Sequence, residues 1–324
     1  MDLYVLNWAA MQAISAVEAR LTFPGDAVLI AEPALRSMHV VDRVEWHRTH
    51  WIDIRTRDAR LQRLAHWQRF RLAIDAALVG VGSIDRIFVG HLGAPMCHAI
   101  NVSRAREVVV LDAGLLTPAV ARARASHRVP NLRQTLAAGG RRLMGIRTRP
   151  PSCVTFFSAY HLDVRSPDKA VRHRFEHLRA LSLRTSRSDE AWFIGQNFVE
   201  GEMMTAARYE AFIAEGIAGL GRVRYFAHPR ESEARLNQLA RRFDIEVTRF
   251  SSPLEIEMLE RAWPRTIVGV SSAALHSAAL IAGNSVNVRA LRAGERDLLR
   301  FNAGMADVYD QFASVGVDII EGAP

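Results

Sequence analysis

The sequence predicts an α/β protein of two domains, each built on a parallel sheet. Short β-branched, apolar segments alternate with helical patterns along most of the chain, which is typical of parallel sheets covered by helices. The 324 residues are too many for one ordinary core and suit two domains of roughly 150 residues each. Hydrophobic residues make up 49% of the chain, which is enough for both cores and argues against a disordered protein.

In the N-terminal domain, strands are predicted at Leu3–Leu6 and Ala27–Ala31, with a helix at Ala9–Arg20 between them. The charged, tryptophan-containing stretch Trp46–Leu78 is expected to be mainly helical. Further short strands are predicted at Ile87–Val89, Val108–Leu111 and Val154–Phe157.

The polar stretch Asp163–Asp189 is predicted to connect the two domains, which we place at residues 1–165 and 166–324. A second series of alternating strands and helices follows this connection. Its strands are predicted at Ala191–Ile194, Arg222–Phe226, Ile245–Thr248, Thr266–Val270 and Ser285–Asn287. Two α/β halves of similar size indicate a pair of Rossmann-like domains facing a central cleft.

Several familiar kinds of site are missing from the sequence. It contains no P-loop, no glycine-rich dinucleotide motif, and no zinc-protease or serine-hydrolase motif. The two cysteines, Cys97 and Cys153, lack zinc-site spacing and suit a reducing compartment. There is no leader pattern and no apolar run of about 18 residues. We therefore expect a cytoplasmic protein whose site uses no resident metal.

Two adjacent serines, Ser271 and Ser272, lie between the predicted strand Thr266–Val270 and an alanine-rich helix. A serine at this place caps the helix by accepting hydrogen bonds from its first free N–H groups. The same helix end attracts a phosphate, and ligands of open α/β sheets bind at the carboxyl ends of strands. Capping alone and phosphate binding both fit the pattern.

His228 directly follows a predicted strand and precedes Pro229. The proline restricts His228 to extended backbone and so holds it at the carboxyl edge of the sheet. An imidazole there could donate to a phosphate oxygen or protonate a leaving group near neutral pH. An ordinary loop histidine, one of 12 in the chain, fits equally well.

Weaker candidates lie at other strand and helix ends. Asp112 precedes a glycine turn after Val108–Leu111, where it could act as a general base or only form the turn. The Gly195–Gln196 backbone follows a strand and could approach a base or a ribose, or make an ordinary turn. Glu255 starts a helix and could face ribose hydroxyls, although glutamate also favours a helix N-terminus by itself.

Taken in order, these pieces resemble the bacterial sialyltransferases and capsular polysialyltransferases, including the lipooligosaccharide sialyltransferases. That family has an acidic D/E-D/E-G motif, then HP, then a Ser/Thr pair, matched here by Asp112-Ala113-Gly114, His228-Pro229 and Ser271-Ser272. The stretch YFAHPRES at Tyr225–Ser232 is the most specific match. The resemblance spans Leu3 to Ser277 and rests on the number and order of short motifs.

The resemblance implies a GT-B-like fold and an inverting, metal-independent glycosyltransferase. It implies transfer of sialic acid from CMP-sialic acid to a hydroxyl of a glycan acceptor, either lipooligosaccharide or capsular polysaccharide. On this basis Asp112 is the general base, and His228 contacts the CMP phosphate as it departs. The donor-binding residues are then Ser271, Ser272, Gly195, Gln196 and Glu255. No cofactor is implied, because the CMP-sugar is a substrate.

One position departs from the family pattern, since Ala113 stands at the second acidic place. This departure leaves open a catalytically silent, glycan-binding scaffold protein. The motifs also admit a donor carrying another CMP-activated acid sugar, such as Kdo or legionaminic acid.

The positive charge is concentrated in one part of the chain. The net charge is +8, and the region from Ala113 to Leu162 holds eight arginines and no acid. This basic segment, residues 117–151, could lie against anionic inner-membrane lipids, hold a polyanionic acceptor, or stay solvated. No fuller nucleic-acid-binding motif accompanies it, so nucleic acid is not an expected partner.

Overall fold

The computed structural model describes residues 1–7, 9–52, 60–126, 139–182, 186–249, 252–300 and 304–322. The chain forms two compact units, Met1–His173 and Arg174–Pro324, here called the N-terminal and C-terminal units. Each contains one parallel sheet, with helices between most of the successive strands. The predicted α/β class with two Rossmann-like domains is confirmed.

Within the described residues, the N-terminal unit has a seven-stranded sheet in the order β3-β2-β1-β4-β5-β6-β7. Its strands are β1 (Asp2–Leu6), β2 (Ala27–Ala31), β3 (Arg48–Trp51), β4 (Arg86–Val89), β5 (Glu107–Leu111), β6 (Thr155–Ser158) and β7 (Lys169–Arg172). Its helices are α1 (Ala10–Thr22), α2 (Arg60–Ala77), α3 (Ala94–Ser103) and α4 (Leu116–Ala125).

The described part of the C-terminal unit has a six-stranded sheet in the order β10-β9-β8-β11-β12-β13. Its strands are β8 (Ala191–Ile194), β9 (Val223–Ala227), β10 (Glu246–Arg249), β11 (Thr266–Gly269), β12 (Asn287–Arg292) and β13 (Asp318–Glu321). Its helices are α5 (Glu176–Ser182), α6 (Ala206–Ile217), α7 (Glu233–Phe243), α8 (Leu254–Glu260), α9 (Ala273–Ala282) and α10 (Gly304–Ala313).

The central strands of both sheets are apolar and buried along their whole length, as in β1, β2, β8 and β11. Helices cover both faces of a parallel sheet, so such strands read as nearly continuous apolar runs. Burying each Val, Leu or Ile side chain contributes about 1.5–3 kcal/mol. No helix among the described residues combines the length and the apolar composition that crossing a bilayer requires.

The stretch Trp46–Leu78, which we predicted to be mainly helical, contains α2 over most of its described residues and the short strand β3 near its start. The structure corrects one other sequence-based assignment. Strand β7 and helix α5 lie within Asp163–Asp189, which we predicted to be a connection. Because β7 pairs with β6, the N-terminal unit extends to His173, past the expected boundary at residue 165.

Both sheets have a topological switch point, the place where the strand order changes direction. It lies between β1 and β4 in the N-terminal unit and between β8 and β11 in the C-terminal unit. In open α/β sheets, ligands bind at this place, outside the carboxyl ends of the strands. The loops that follow β8 and β11 carry Gly195, Gln196, Ser271 and Ser272.

The basic segment 117–151 is described only in part, because residues 127–138 lie outside the described ranges. In its first part, Arg124 of α4 makes a two-pronged ion pair with Asp168, with N–O distances of 2.7 and 2.8 Å. Arg124 therefore ties α4 to the loop before β7 and is not a free surface charge.

Candidate functional site

The structure joins the loops after β8 and β11 through a glutamine and a serine. The side-chain Oε1 of Gln196 accepts hydrogen bonds from the backbone N–H of Ser271 at 3.0 Å and from its hydroxyl at 3.4 Å. Both residues lie at the switch point of the C-terminal unit. Gln196 and Ser271, chosen separately from the sequence, are thus direct neighbours.

Ser272 is the N-cap of helix α9. Its backbone is extended, with φ −75° and ψ 133°, and its hydroxyl oxygen accepts from the N–H of Ala274 at 3.3 Å. The capping that the sequence allowed is therefore present. Because the hydroxyl accepts in this contact, its own proton remains able to donate to a bound anion. The helix end supplies further N–H groups and a favourable dipole.

His228 lies one residue beyond the end of β9 and is half-buried. The backbone N–H of Arg230 donates to its Nδ1 at 3.1 Å, so the neutral ring carries its proton on Nε2. Burial, and then the charge of Arg230, lower the pKa of His228, while Glu200 acts in the opposite direction. At neutral pH the side chain therefore offers an Nε2–H hydrogen-bond donor.

Glu231 and two tyrosines, which the sequence-based search for site residues missed, connect these loops. The carboxylate of Glu231 accepts from the backbone N–H of His228 and from the hydroxyl of Tyr225, both at 2.6 Å. The Tyr225 hydroxyl lies 3.1 Å from that of Tyr209, which accepts from the N–H of Gln196 at 2.8 Å. The available signal was the pattern Y-x-x-H-P-x-E, which places Tyr225 and Glu231 on either side of His228.

Gly195 is required by the close approach of these side chains. A Cβ atom at this position would lie 2.6 Å from a carboxylate oxygen of Glu231 and 2.6 Å from the hydroxyl of Tyr225. Both distances are shorter than carbon–oxygen contacts allow, so any larger residue would force these two side chains or the loop itself to shift.

Glu255 takes a different position from the other candidates. It lies in the first turn of α8, is 3% exposed, and accepts a hydrogen bond from the hydroxyl of Ser277 in α9. Burial raises the pKa of its carboxyl. In this conformation its carboxyl faces α9, and no hydrogen bond between described residues joins it to Gln196, Ser271 or His228.

Asp112 lies in the N-terminal unit, directly after β5, and is fully buried. Its Oδ1 accepts from the hydroxyl of Ser158 at 2.5 Å, and its Oδ2 accepts from the N–H of Ala159 at 2.7 Å. The Nε2 of His173, which follows β7, lies 3.5 Å from Oδ2. The carboxyl ends of β5, β6 and β7 therefore meet around this carboxylate.

The candidate residues of the C-terminal unit form a site rich in hydrogen-bond donors. Gln196, Ser271, Ser272 and His228 all lie at the carboxyl edge of its sheet. Among the residues that the structure describes, no group of three or more His, Cys, Asp or Glu side chains could hold a metal ion. Hydroxyl, imidazole and helix N–H donors in this arrangement are suited to an anionic ligand such as a phosphate.

Comparison with known proteins identifies the fold. No family model matches this chain, and no curated protein matches it. A Listeria monocytogenes protein described as a UDP-N-acetylglucosamine 2-epimerase has 12% identity and a TM-score of 0.55, covering 99% of this chain and 84% of its own. The glycotransferase of kitacinnamycin has 11% identity and a TM-score of 0.51, with coverages of 99% and 86%.

A third similar structure is the alpha/beta-galactoside alpha-2,3-sialyltransferase of Photobacterium phosphoreum. It has 12% identity and a TM-score of 0.50, covering 98% of this chain and 97% of its own. At such low identity these likenesses show the fold alone, and they confirm the predicted GT-B-like fold class. Since an epimerase and transferases share this fold, function must be argued from the site.

Proposed function

We propose that this chain is a glycosyltransferase that moves sialic acid from CMP-sialic acid to a hydroxyl of a glycan acceptor. The observation that carries the proposal is the position of two motifs, His228-Pro229 and the serine pair Ser271-Ser272, at the same edge of the sheet in the C-terminal unit. His228 and the Gln196–Ser271 pair lie at one edge of one sheet, linked through Glu231 and the two tyrosines. The order of these motifs is that of the bacterial sialyltransferases, and the donors they present suit a nucleoside monophosphate.

In the proposed reaction the acceptor hydroxyl attacks the anomeric carbon of sialic acid as the bond to the phosphate oxygen breaks. The configuration inverts, and CMP leaves with the bonding electron pair. The Nε2–H of His228, the hydroxyl of Ser272 and the first N–H groups of α9 stabilise the charge that develops on the phosphate. Donors fixed in place supply this stabilisation without a metal ion.

Asp112 is proposed to take the proton of the acceptor hydroxyl. Gly195 and Gln196 are proposed to contact the cytosine and ribose, because their backbone lies beside the phosphate-binding serine. Glu255 is proposed as a ribose contact only if its bond to Ser277 opens on donor binding.

The proposed acceptor is a cell-surface glycan, lipooligosaccharide or capsular polysaccharide, modified in the cytoplasm. The basic segment 117–151 is proposed to contact anionic inner-membrane lipids. Two alternatives remain within the same site: a donor carrying Kdo or legionaminic acid, and a silent glycan-binding scaffold suggested by Ala113.

CMP and CMP-sialic acid are each expected to raise the melting temperature of the full chain in the presence of EDTA, whereas UDP is not. A ligand that binds only the folded state stabilises it by about 2.7 kcal/mol at a hundredfold excess over Kd. For a domain of this size that corresponds to a rise of about 5 °C or more. The measurement is a thermal-shift titration with the three nucleotides in parallel.

The outcomes of this titration distinguish the proposed donor from the alternatives. Stabilisation by UDP but not by CMP would replace the proposed donor with a UDP-sugar. The absence of any shift would remove the nucleotide site altogether. Stabilisation by CMP without release of CMP from CMP-sialic acid, in a screen of glycan acceptors, would favour the silent scaffold.

A further inference from the structure

An uninterrupted series of hydrogen bonds links the loop after β8 to the loop after β9. It runs from the N–H of Gln196 to Tyr209, from Tyr209 to Tyr225, and from Tyr225 to Glu231. Glu231 then accepts from the N–H of His228. The series therefore joins the main chains of two residues to which the proposed function assigns substrate contacts.

The two ends of the series fix its direction. A backbone N–H can only donate and an ionised carboxylate can only accept. The Tyr209 oxygen therefore accepts from Gln196 while its proton points to Tyr225, and Tyr225 donates to Glu231. Both hydroxyls and the carboxylate are buried, where such hydrogen bonds are stronger and a missing partner costs more than at the surface.

The surrounding residues hold Glu231 in place. Its backbone carbonyl accepts from a guanidinium nitrogen of Arg249 at 2.6 Å, and the carbonyl of His228 accepts from the same side chain at 3.3 Å. Glu200, in the loop after β8, accepts from the N–H of Ser232 at 3.1 Å. The Glu231 side chain is consequently a fixed bridge and not a mobile surface carboxylate.

We propose that Glu231 is the positioning residue of the donor site, holding the His228 and Gln196 main chains in the arrangement that receives the nucleotide phosphate. This inference rests on the proposed function for the identity of the ligand. The role proposed for Glu231 is exerted through its bonds to the His228 N–H and the Tyr225 hydroxyl, and it requires no contact with the donor.

The charge of Glu231 makes this role measurable. Burial raises the pKa of its carboxyl to about 7, against the lowering effect of its bonds with Tyr225 and His228. The charged and titratable groups around it are Tyr225 and His228 near β9, Tyr209 on α6, Arg235 on α7, Glu200 after β8 and Arg249 on β10. An anion bound beside His228 would raise the pKa of Glu231 further, because like charges repel.

Because a bound anion and the charged Glu231 carboxylate repel each other, CMP affinity depends on the protonation of Glu231. Below a pH of about 7 the free carboxyl is mostly neutral, and a bound anion meets no repulsion from it. Above that pH the carboxyl must take up a proton when the anion binds, or remain charged beside it. The contribution of Glu231 to CMP affinity is therefore most favourable below about pH 7 and declines as the pH rises through this range.

The test is calorimetric titration of CMP into the full chain and three variants, from about pH 6 to pH 9. Glu231→Gln keeps the shape, and its amide oxygen can still accept from the N–H of His228, but its NH2 group cannot accept from the Tyr225 hydroxyl. It is therefore expected to weaken CMP binding near pH 6, by less than Glu231→Ala does. It should lack the part of the wild-type pH dependence that comes from Glu231. CMP and His228 titrate in both proteins, so their contributions cancel in the comparison.

Glu231→Ala removes the bridge and is expected to weaken CMP binding about tenfold or more, because the N–H of His228 and the Tyr225 hydroxyl lose their acceptor. Glu210→Gln is the matched control. Glu210 is equally buried in the same unit, at 5% exposed, but pairs with Arg242 and Gln238. It is expected to change the melting temperature without changing CMP affinity.

Wild-type affinity in Glu231→Ala, or the full wild-type pH dependence in Glu231→Gln, would overturn the inference while leaving the proposed donor intact. Equal loss of CMP affinity in Glu210→Gln would also overturn it, since a general loss of stability would then explain the result. If the wild type binds UDP and not CMP, the proposed donor fails and the same series with UDP decides the role of Glu231. If neither nucleotide binds, both the proposed function and the positioning role of Glu231 are contradicted.

Discussion

Replacing His228 with alanine is expected to lower kcat/KM for sugar transfer by about a hundredfold to a thousandfold while leaving the fold intact. The variant loses the Nε2–H that the bond from Arg230 orients, and removing one such donor from a developing negative charge costs about a hundredfold to a thousandfold in rate. The half-buried ring of His228 fills no core position, so the melting temperature should change little. The measurement is the initial rate of CMP release from CMP-sialic acid with a working acceptor.

His228→Gln separates the two chemical roles that the sequence left open for this residue. The glutamine amide places an N–H donor near the position of Nε2 but cannot transfer a proton at neutral pH. Partial recovery of transfer would show hydrogen bonding to the phosphate, in agreement with the lowered pKa of His228. Glutamine as inactive as alanine would instead indicate general acid catalysis. Full activity in His228→Ala would contradict the proposed site.

The central strands were the part of the fold that sequence reasoning predicted best. The predicted bounds of β2 and β8 coincide with those observed, and β1, β5 and β11 differ by one residue at one end. These strands are buried on both faces, so their side chains must be apolar throughout and the pattern is unmistakable.

Three strands at sheet edges, β3, β7 and β13, were missed for the opposite physical reason. Strand β7, with the sequence KAVR, is exposed along its whole length, and β3, with RTHW, is half-exposed. An edge strand is free to carry polar residues, which also discourage pairing with other chains. No apolar run then distinguishes it from a loop or a surface helix. Strand β13 was missed for the same reason, and β12 was predicted too early, at Ser285–Asn287.

Sequence reasoning could identify a candidate site residue only where a single residue at the end of a strand has a recognisable chemical role. That reasoning found His228, Gln196 and Ser271, which the structure places at one sheet edge. It could not find the role of Glu231 or Tyr209, because their connection depends on side chains meeting across α6 and two strands. It also could not foresee that Glu255 points to Ser277, since the packing of α8 on α9 decides that contact.

Replacing Asp112 with asparagine is expected to reduce kcat at least a hundredfold, because loss of a general base typically costs a hundredfold to ten-thousandfold. The same change also disturbs the structure. An amide NH2 cannot accept from the N–H of Ala159 or the hydroxyl of Ser158, so one of these buried donors loses its acceptor. We expect a loss of about 1–3 kcal/mol in the free energy of unfolding. The measurements are kcat, the melting temperature and the folded fraction at the assay temperature.

Ser158→Ala is the control that separates these effects. It removes one hydrogen bond to Asp112 but retains the carboxylate, and is expected to lower stability while leaving kcat within a few-fold of the wild type. If it impairs transfer as severely as Asp112→Asn, the buried carboxylate supports the structure and the base lies elsewhere.

A change at position 113 tests whether Asp112 is the general base. Ala113 is half-exposed, whereas Asp112 is fully buried, so an acid at position 113 would be more accessible than the one the chain retains. If Asp112 is the base, adding Ala113→Asp to Asp112→Asn restores no transfer, because the proton must still pass to position 112. Recovery in the double variant would place the base at the second acidic position of the motif. The natural Ala113 would then explain a chain that binds the donor but transfers its sugar poorly.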